Sequence, residues 1–170
     1  MATTSTSRTS KPLVAATDGS SLNNPGPSGW AWVAEDGRQD WASIRHSTNN
    51  RMELTAVREL LRAFPRQSLR IQTDSQYVIN VFTKWLPGWR ANGMRTSSRK
   101  AVENQDLIAE IDELLTGRHI DWQWVRGHSG HPLNTLADRL ALYAAERART
   151  LLETGTLPKD PAMPARLLDR

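Results

Sequence analysis

The sequence predicts an α/β fold in which helices cover the faces of a mixed sheet. Three short segments with strand-like patterns come first, at 13–16, 29–35 and 41–46, and short turns separate them. A helical period follows at 50–64, after which strand and helix patterns alternate. Strands joined by short turns pair antiparallel, whereas strands joined through helices pair in parallel. We therefore predict an antiparallel meander extended by parallel crossovers, in the element order βββαβααβα.

The first predicted strand ends close to an acid. The apolar run 13–16 leads to Asp18, which stands where the strand leaves the core, and glycine, asparagine and proline at 23–27 predict a turn. An aspartate in this position is either a turn residue that bonds its own backbone or a functional group at the edge of the sheet. A second turn, at 36–37, joins the two strands of a hairpin.

Apolar spacing and end signals define the later elements. The helix at 50–64 has one apolar stripe and ends before Pro65. Ser75 is a suitable N-terminal cap for the next helix. The remaining elements are, in chain order, a strand at 69–74, a helix from Ser75 to about Trp85, a helix at 102–115, a strand at 120–125 and a long helix from Pro132 or Asn134.

Length and composition indicate one domain, since 170 residues can bury a sizeable core. No apolar run is long enough to cross a membrane, and the absence of cysteine excludes disulfides and thiolate metal sites. We expect a disordered N-terminal tail at 1–11, a folded domain at 12–152 and a C-terminal tail at 153–170. A monomer in the cytoplasm, without an obligate protein partner, is the simplest expectation.

A basic segment with two tryptophans, which we call the arm, spans 84–100. The net charge of the chain is +4, and the arm holds five basic residues and no acid, so the positive excess is local. Trp85 and Trp89 lie within it, beside Arg90 and Arg95. The arm is either a solvated surface or a nucleic-acid contact, in which cations meet phosphates and flat rings pack on sugars or bases.

Glu53 lies inside the apolar face of the first long helix. At 100° per residue its apolar neighbours surround it, and Arg51, Arg58 and Arg62 project from the opposite side. An acid near a helix start favours the helix dipole, but a surface position would do so without the cost of desolvating a carboxylate. Glu53 therefore needs a cation, either an arginine from elsewhere in the chain or a metal.

Two further acids occupy positions typical of ligand sites. Asp74 ends the strand at 69–74, and ligands of open α/β sheets bind beyond the carboxyl ends of the strands. A role as a helix cap suits Asp74 equally well. Asp138 lies in an early turn of the last helix, away from its leucine stripe, where a solvated acid that favours the dipole is the alternative.

A glycine-rich loop precedes the last helix and carries a histidine. Gly127 and Gly130 flank His128, which indicates a mobile loop. Near several acids, an imidazole could transfer protons close to neutral pH. His131, directly before Pro132, suits a structural role at the helix start.

These acids together indicate a hard metal. Oxygen ligands suit Mg²⁺ or Mn²⁺ rather than Zn²⁺. Several carboxylates around a phosphate can hold two ions about 4 Å apart, one activating water and one stabilising the leaving oxygen. Combined with a basic, aromatic arm, this pattern points to phosphodiester cleavage in a nucleic acid.

Five motifs lie within residues 12–150; they are, in order, "TDGSSLNNPGPSGWAWV", "TNNRMELTAV", "IQTDSQYVIN", "KWLPGW" and "WQWVRGHSGHPLNTLADRLA". Together they resemble the motifs of one family, bacterial-type ribonuclease H of type 1 (ribonuclease HI). The resemblance implies a ribonuclease H-like fold, with a five-stranded mixed sheet flanked by helices, as a catalytic domain at 12–152. It also implies hydrolysis of the RNA strand of RNA/DNA hybrids by two Mg²⁺ ions per site, with Mn²⁺ able to substitute, giving 5′-phosphate and 3′-hydroxyl ends.

The resemblance also implies roles for individual residues. The four metal-binding acids and the loop histidine of the family, which form the catalytic set, match Asp18, Glu53, Asp74, Asp138 and His128. Its contacts to the minor groove of the hybrid, where 2′-hydroxyls mark the RNA strand, match Gly19, Asn24, Asn49 and Gln76. Its contacts to a phosphate of the DNA strand match Thr48 and Asn104. Its basic protrusion matches the arm, with Trp85, Trp89, Arg90 and Arg95, although Met94 replaces an expected third tryptophan.

Two alternatives stand beside this hypothesis. One is a binding module that keeps the fold and the arm but does not cleave; the presence of all four acids favours cleavage. The other is a different metal nuclease of the same fold, such as a resolvase or transposase core. The asparagine and glutamine set matched to hybrid recognition favours ribonuclease H.

Overall fold

One mixed sheet forms the centre of the computed structural model, which describes residues 10–157 and 167–168. The strands are β1 (Leu13–Ser21), β2 (Gly26–Ala34), β3 (Gln39–Ser47), β4 (Leu69–Thr73), β5 (Ile120–Trp124) and β6 (Leu167–Leu168). Their order in the sheet is β5-β4-β1-β2-β3-β6. β1 to β3 pair antiparallel, whereas β4 pairs in parallel with both β1 and β5. The predicted meander with parallel extensions is therefore confirmed.

β1 is longer than the apolar pattern predicted. It continues to Ser21, so Asp18 lies within the strand, opposite Ala31 of β2, rather than at a turn. The predicted end at residue 16 was wrong because backbone pairing with β2 continues through polar residues, which apolar alternation does not detect. Asp18 is thus held in the sheet by its pairing with β2, two residues beyond the last pair of β1 with β4.

The helices follow the predicted order. They are α1 (Asn49–Ala63), α2 (Gln76–Asn80), α3 (Leu86–Ala91), α4 (Gln105–Leu115) and α5 (Pro132–Thr154). Thr48 caps α1 and Ser75, as predicted, caps α2. A π-helical turn, Val81–Trp85, joins α2 to α3. The single helix predicted from Ser75 to about Trp85 is therefore two segments, and α3 continues beyond its predicted end.

The predicted start of α4 at residue 102 was wrong by three residues. Asn104 has a φ of +58°, in the left-handed region, which an α-helix cannot contain. The helix therefore begins at Gln105. This conformation turns Asn104 towards α1, where its Oδ1 accepts from the Arg51 guanidinium at 3.5 Å.

The two faces of the sheet carry different helices. The even-numbered tryptophans Trp30 and Trp32 of β2 pack in the cluster that includes α1 and α4. Ala31 and Val33, which point to the opposite face of β2, pack against α5. The alternation of a strand thus divides β2 between two cores, as expected for a sheet covered on both sides.

α1 is buried on the side of its arginines as well as on its apolar side. Arg58 is only 3% exposed, because α4 packs over it and its guanidinium pairs with Glu59 at 2.9 Å and Glu110 at 3.2 Å. Arg62 also pairs with Glu110. The polar face of α1 is therefore covered by α4 at Arg58, whereas Arg62 stays exposed to solvent.

The five strands predicted from the sequence are present, and β6 adds a sixth. β6 pairs in parallel with the edge strand β3, opposite Ser43 and Ile44. It falls within the predicted C-terminal tail, as does the end of α5 at Thr154. The tail predicted at 1–11 and the remainder of the tail predicted at 153–170 lie largely outside the described residues. Within the described part of the chain, no helix combines the length and the apolar character that a membrane span requires.

Candidate metal centre and nucleic-acid interface

Three of the predicted acids meet at one edge of the sheet. Asp18 comes from β1, Glu53 from the second turn of α1, and Asp74 directly follows β4. One carboxylate oxygen from each lies within 4.8 Å of the others. They meet because β1 and β4 are parallel neighbours and α1 crosses the sheet close to β1. Asp74 thus lies at the carboxyl end of β4, a position where ligands of open α/β sheets bind.

Gly19 allows α1 to approach the sheet this closely. A Cβ at residue 19 would lie 2.3 Å from the backbone nitrogen of Glu53 and 2.5 Å from the carbonyl carbon of Met52. Only glycine leaves room for this contact. Gly19 therefore has a packing function that sets the position of Glu53, independently of any contact with a substrate.

The acid cluster lacks a protein cation. Asp18 is 5% exposed and Glu53 8%, and no ion pair among the described residues involves either of them or Asp74. Oε2 of Glu53 is buried without a hydrogen-bond partner. Of the two partners predicted for Glu53, an arginine or a metal, the described residues supply no arginine. The donor set, all carboxylate oxygens, fits Mg²⁺ or Mn²⁺.

Burial and mutual repulsion disfavour the ionised acids. Burial first, and the charge of Asp74 second, raise the pKa of Asp18 to about 8. The pKa of Glu53 is raised well above its usual value by burial and by Asp18. The pKa of Asp74 is raised by burial and by Asp138. A bound divalent cation would oppose all three shifts, because it favours the ionised carboxylates.

Asp138 faces the cluster from α5 without joining it. It is not among the three acids whose oxygens lie within 4.8 Å. Its charge nevertheless raises the pKa of both Asp18 and Asp74, so the four acids share one electrostatic environment. The four predicted acids are thus brought together as a group of three and a nearby fourth.

The loop that carries His128 packs against Asp74. A Cβ at Gly127 would lie 2.9 Å from Oδ2 of Asp74, so glycine allows the loop to contact the carboxylate. His128 has a φ of +57° and is exposed, and its charge lowers the pKa of Asp74, against the dominant effect of burial. His131 directly precedes α5 and makes no side-chain capping bond. Of the two histidines, the structure thus relates His128 to the acids.

Two residues matched to minor-groove contacts connect β1 to α1. The Asn49 side chain accepts from the backbone of Ser21 at 2.6 Å, and the Asn49 backbone donates to Oδ1 of Asn24 at 2.9 Å. Gln76 lies exposed at the start of α2, two residues after Asp74. Asn49 therefore lies one turn before Glu53 on α1, and Gln76 lies two residues after Asp74.

The two residues matched to a phosphate contact share a cleft of about 350 Å³ at the start of α1. Thr48 and Asn104 both line it. Oγ1 of Thr48 accepts from the Arg51 backbone at 3.3 Å, and Nδ2 of Asn104 donates to the Tyr77 hydroxyl at 3.3 Å. We call this the α1 cleft.

The aromatic rings and the cations of the arm differ in their exposure to solvent and in their ion pairing. Trp85 and Trp89 are half-buried, with ring centroids 5.6 Å apart, and pack against the core. The Arg90 guanidinium pairs with Asp112 of α4, with its Nε 2.9 Å from Oδ2. Arg95 is exposed and donates to the carbonyl oxygen of Arg99 at 3.1 Å. Arg95 and Arg99 are therefore better placed than Arg90 to meet a phosphate.

Trp124 is a candidate that the sequence interpretation missed. It ends β5 with 44% of its surface exposed, and its indole N–H donates to the carbonyl oxygen of Asp74 at 3.3 Å. The pairing of the two predicted strands could have identified Trp124, because a parallel β4–β5 pair places residue 124 beside Thr73, next to Asp74. An exposed aromatic ring at this position borders the same edge of the sheet as the acids.

Comparison with known proteins identifies the family. Residues 10–146 match the family model described as RNase H. The chain belongs to the ribonuclease H family. The ribonuclease H of Tropheryma whipplei (strain Twist) is 49% identical over 144 residues, which cover 84% of this chain and 89% of that protein. The sequence-based assignment to a bacterial-type ribonuclease H enzyme is therefore confirmed.

Solved structures confirm the ribonuclease H fold. A type 1 RNase H with the type 2 active-site motif matches with a TM-score of 0.70 and 28% identity, over 92% of this chain and 93% of that one. The foamy viral protease-reverse transcriptase in complex with RNA/DNA hybrid matches with a TM-score of 0.69 and 25% identity. That match covers 78% of this chain but 20% of the viral protein.

Proposed function

We propose that this chain hydrolyses the RNA strand of RNA/DNA hybrids with two Mg²⁺ ions and leaves 5′-phosphate and 3′-hydroxyl ends. Mn²⁺ is expected to substitute for Mg²⁺. The observation that carries the proposal is the cluster of Asp18, Glu53 and Asp74, which is largely buried and without a protein cation. Metal ions bound there would supply an activated water and offset the charge of the leaving oxygen.

The four acids and His128 have different parts in this proposal. Asp18, Glu53 and Asp74 would hold the ions, and Asp138 would complete the set of ligands from α5. The sheet and α1 fix the first three carboxylates before any metal binds, so little ordering is required on binding. His128 would move a proton between bulk water and the 3′-oxygen that leaves, since its loop lies against Asp74.

The residues around the acids would align the hybrid. Asn24, Asn49 and Gln76 border the acid cluster and would meet the minor groove, where an amide can bond a 2′-hydroxyl. Thr48 and Asn104, in the α1 cleft, would bind a phosphate of the DNA strand. Gly19 would approach the hybrid as well as α1. The arm, about Trp85 and Trp89, would extend the contact along the duplex.

Three labelled duplexes test the proposed function. An RNA/DNA hybrid, an RNA duplex and a DNA duplex are each incubated with Mg²⁺, with Mn²⁺ and with EDTA. We expect cleavage of the RNA strand of the hybrid alone, with either metal, and products that carry 5′-phosphate ends. Cleavage that persists in EDTA, or that is equal on the RNA duplex, would overturn the proposal.

We also propose that the protein is cytoplasmic and monomeric. For a monomer, light scattering should give a mass of 19.1 kDa.

His128→Ala is expected to slow turnover without abolishing it. A side chain that only assists proton transfer contributes about 10²–10⁴-fold in rate, which is less than the loss expected on removing the metals. We expect a decrease within or slightly below that range, a continued requirement for Mg²⁺ and nearly unchanged affinity for the hybrid. Steady-state cleavage across a pH series measures the effect.

His131→Ala is the matched control for His128→Ala. His131 lies in the same loop but stands at the start of α5, so its removal should change turnover much less. A larger loss in His131→Ala than in His128→Ala would show that the roles are reversed. Parental turnover of His128→Ala at every pH would remove His128 from the mechanism.

Replacing Arg90, Arg95 and Arg99 together with alanine is expected to weaken hybrid binding and flatten its salt dependence. Each phosphate contact contributes about 0.9 to the log–log salt slope on a B-form duplex. We expect a slope reduced by about one to two rather than three, because Arg90 is already paired with Asp112. Arg66→Ala, an exposed arginine beyond the far end of α1, is the control. An unchanged slope in the triple variant would make the arm a solvated surface.

A further inference from the structure

Asp74 differs from the other two acids of the cluster in how its backbone is held. Asp18 lies within β1, where it pairs with β2, and Glu53 lies within α1. Asp74 follows the last ladder pair of β4 with β5, which joins Thr73 to Trp124, and it precedes α2. A residue beyond the end of a ladder lacks its regular backbone hydrogen bonds. The position of the Asp74 carboxylate therefore depends on contacts outside the regular sheet.

β5 and the loop that follows it supply such contacts. The backbone N–H of Val125 donates to the carbonyl oxygen of Thr73 at 3.0 Å. The indole N–H of Trp124 then donates to the carbonyl oxygen of Asp74 at 3.3 Å. The backbone of Gly127 lies against the Asp74 side chain, since a Cβ there would stand 2.9 Å from Oδ2. The indole thus continues the link between β4 and β5 one residue beyond the ladder.

Core packing does not account for a tryptophan at residue 124. Trp122, which points to the same face of β5, packs against the core and stacks on Phe82 with ring centroids 5.0 Å apart. Trp124 belongs to neither hydrophobic cluster of the described residues, and 44% of its surface is exposed. What an indole adds to an apolar ring is an N–H donor on a rigid side chain. The hydrogen bond to Asp74 uses that donor.

Repulsion acts on the Asp74 carboxylate before any metal binds. Burial first, and the charge of Asp138 second, raise the pKa of Asp74, so the ionised side chain is pushed away from its neighbours. A cation that binds must draw the carboxylate back, and this costs less when the backbone is already fixed. Groups that orient a metal ligand without touching the metal typically weaken metal binding when they are removed. The Trp124 indole is placed to act in this way through the backbone.

We propose that Trp124 is a positioning residue for the metal site, and that its indole N–H fixes the backbone of Asp74 so that the carboxylate is held in place for the ions. Trp124 itself would contact neither the metal nor the reacting phosphate. Its removal should therefore weaken metal binding and slow turnover without changing the affinity for the hybrid. The inference rests on the proposed function, since it concerns the same acids.

Trp124→Phe is the decisive variant, because it keeps an aromatic ring and removes the N–H donor. Calorimetric titration with Mg²⁺, in the absence of hybrid, should give a Kd about three- to tenfold higher than that of the parent. Steady-state cleavage at a low, fixed Mg²⁺ concentration should show kcat lowered by a similar factor and an unchanged KM for the hybrid. Raising the Mg²⁺ concentration should restore most of kcat, because bound ions then hold the Asp74 carboxylate in place.

Trp122→Phe is the matched control, since it makes the same change on the same face of β5 but within the core. It should keep the parental Mg²⁺ affinity and kcat, even where its free energy of unfolding falls. Trp124→Leu removes the ring as well as the donor, and it should match Trp124→Phe if the donor is what matters. If Trp124→Phe behaves as the parent and only Trp124→Leu is impaired, the ring rather than the N–H supports the site, and the inference is wrong.

NMR of the indole N–H groups gives a second measurement. The chain has seven tryptophans, and the signal that is lost in Trp124→Phe identifies Trp124. In the parent this signal should shift during titration with Mg²⁺, with the midpoint found by calorimetry, because its acceptor belongs to a residue of the acid cluster. The signal of Trp122, assigned in the same way, should stay in place. A Trp124 signal that Mg²⁺ leaves unchanged would contradict the link to Asp74.

Failure of this inference is distinguishable from failure of the proposed function. If the parent neither binds Mg²⁺ nor cleaves the hybrid, the proposed function is wrong and Trp124 has no metal site to support. If the parent does both but Trp124→Phe has the parental Kd for Mg²⁺ and the parental kcat, the donor is dispensable and this inference alone fails. A raised KM for the hybrid with unchanged Mg²⁺ affinity would equally overturn it, because Trp124 would then contact the substrate.

Discussion

Asp18→Asn is expected to abolish cleavage while making the metal-free protein more stable. An amide is a poorer metal ligand than a carboxylate, so turnover should fall to the background level. The buried carboxylates of Asp18, Glu53 and Asp74 repel one another when no cation is present. Removal of one charge relieves that repulsion. Loss of activity together with a gain in stability is typical of a functional cluster and would not result from a damaged core.

The gain in stability should depend on pH in a defined direction. Burial and Asp74 raise the pKa of Asp18 from 3.8 to about 8 in the folded protein. Between these pH values the folded protein binds more protons than the unfolded chain, so the parent's free energy of unfolding falls as the pH rises. The variant has no proton to lose at this position. Its advantage over the parent should therefore grow from pH 5 to pH 8, by at most about 1.4 kcal/mol per pH unit.

Chemical denaturation in EDTA at several pH values measures this difference. Asp74→Asn should behave in the same way, with a smaller gain because Asp74 is less buried. Asp121→Asn is the control, since Asp121 is half-exposed and paired with Arg70 at 2.7 Å, away from the acid cluster. Mg²⁺ should raise the melting temperature of the parent more than that of either active-site variant. Near-parental turnover of Asp74→Asn would contradict the metal site.

Much of the fold could be predicted because local patterns and tertiary contacts agree. Apolar alternation located the hairpin strands, and Pro65 marked the end of α1 to within a few residues. Apolar periodicity predicted wrong element boundaries where backbone pairing or backbone conformation determines the end of a strand or the start of a helix. Pairing extended β1 through Asp18, and the left-handed Asn104 delayed α4. Neither effect leaves a trace in apolar periodicity.

The clustering of the acids was predictable because their type and position were unusual for a core. A glutamate within an apolar stripe indicates a buried carboxylate that requires a cation. In the structure, Oε2 of Glu53 has no hydrogen-bond partner. The pairing of Arg58 with α4 was not predictable in the same way. A helical wheel gives the side on which a residue lies but not what covers that side. The same limit applies to Ser47, which lines the α1 cleft beside a β-bulge in β3, because the pairing with β2 determines where that bulge lies.

The packing function of Gly19 was also hidden in the sequence. The resemblance to the family suggested only a substrate contact. The structure adds a separate reason, the approach of α1 to within 2.3 Å of the site where a Cβ would stand. Gly19 is not among the residues with positive φ, so the requirement comes from this contact.

Gly19→Ala is therefore expected to impair catalysis strongly. The added methyl group would meet the backbone of Met52 and Glu53, which cannot move aside as a flexible side chain could. The N-terminal part of α1 must shift away from β1, and the Glu53 carboxylate shifts with it. A displacement of about 1 Å at a reacting centre can cost about 10²-fold in rate. We expect a loss of turnover of at least that size, weaker binding of Mg²⁺ and a loss of stability of about 1–3 kcal/mol.

Gly88→Ala provides the matched control, since a Cβ at Gly88 would meet no atom within 4 Å. Alanine is favoured over glycine within a helix, so this variant should be at least as stable as the parent and should cleave normally. Circular dichroism establishes that both variants fold, and calorimetric titration with Mg²⁺ reports on the acid cluster without requiring turnover. Parental Mg²⁺ binding and turnover in a folded Gly19→Ala would show that α1 can move without displacing Glu53. Because the metal titration reports on Glu53 directly, a loss of Mg²⁺ affinity that exceeds the loss of stability would assign the effect to the displaced carboxylate.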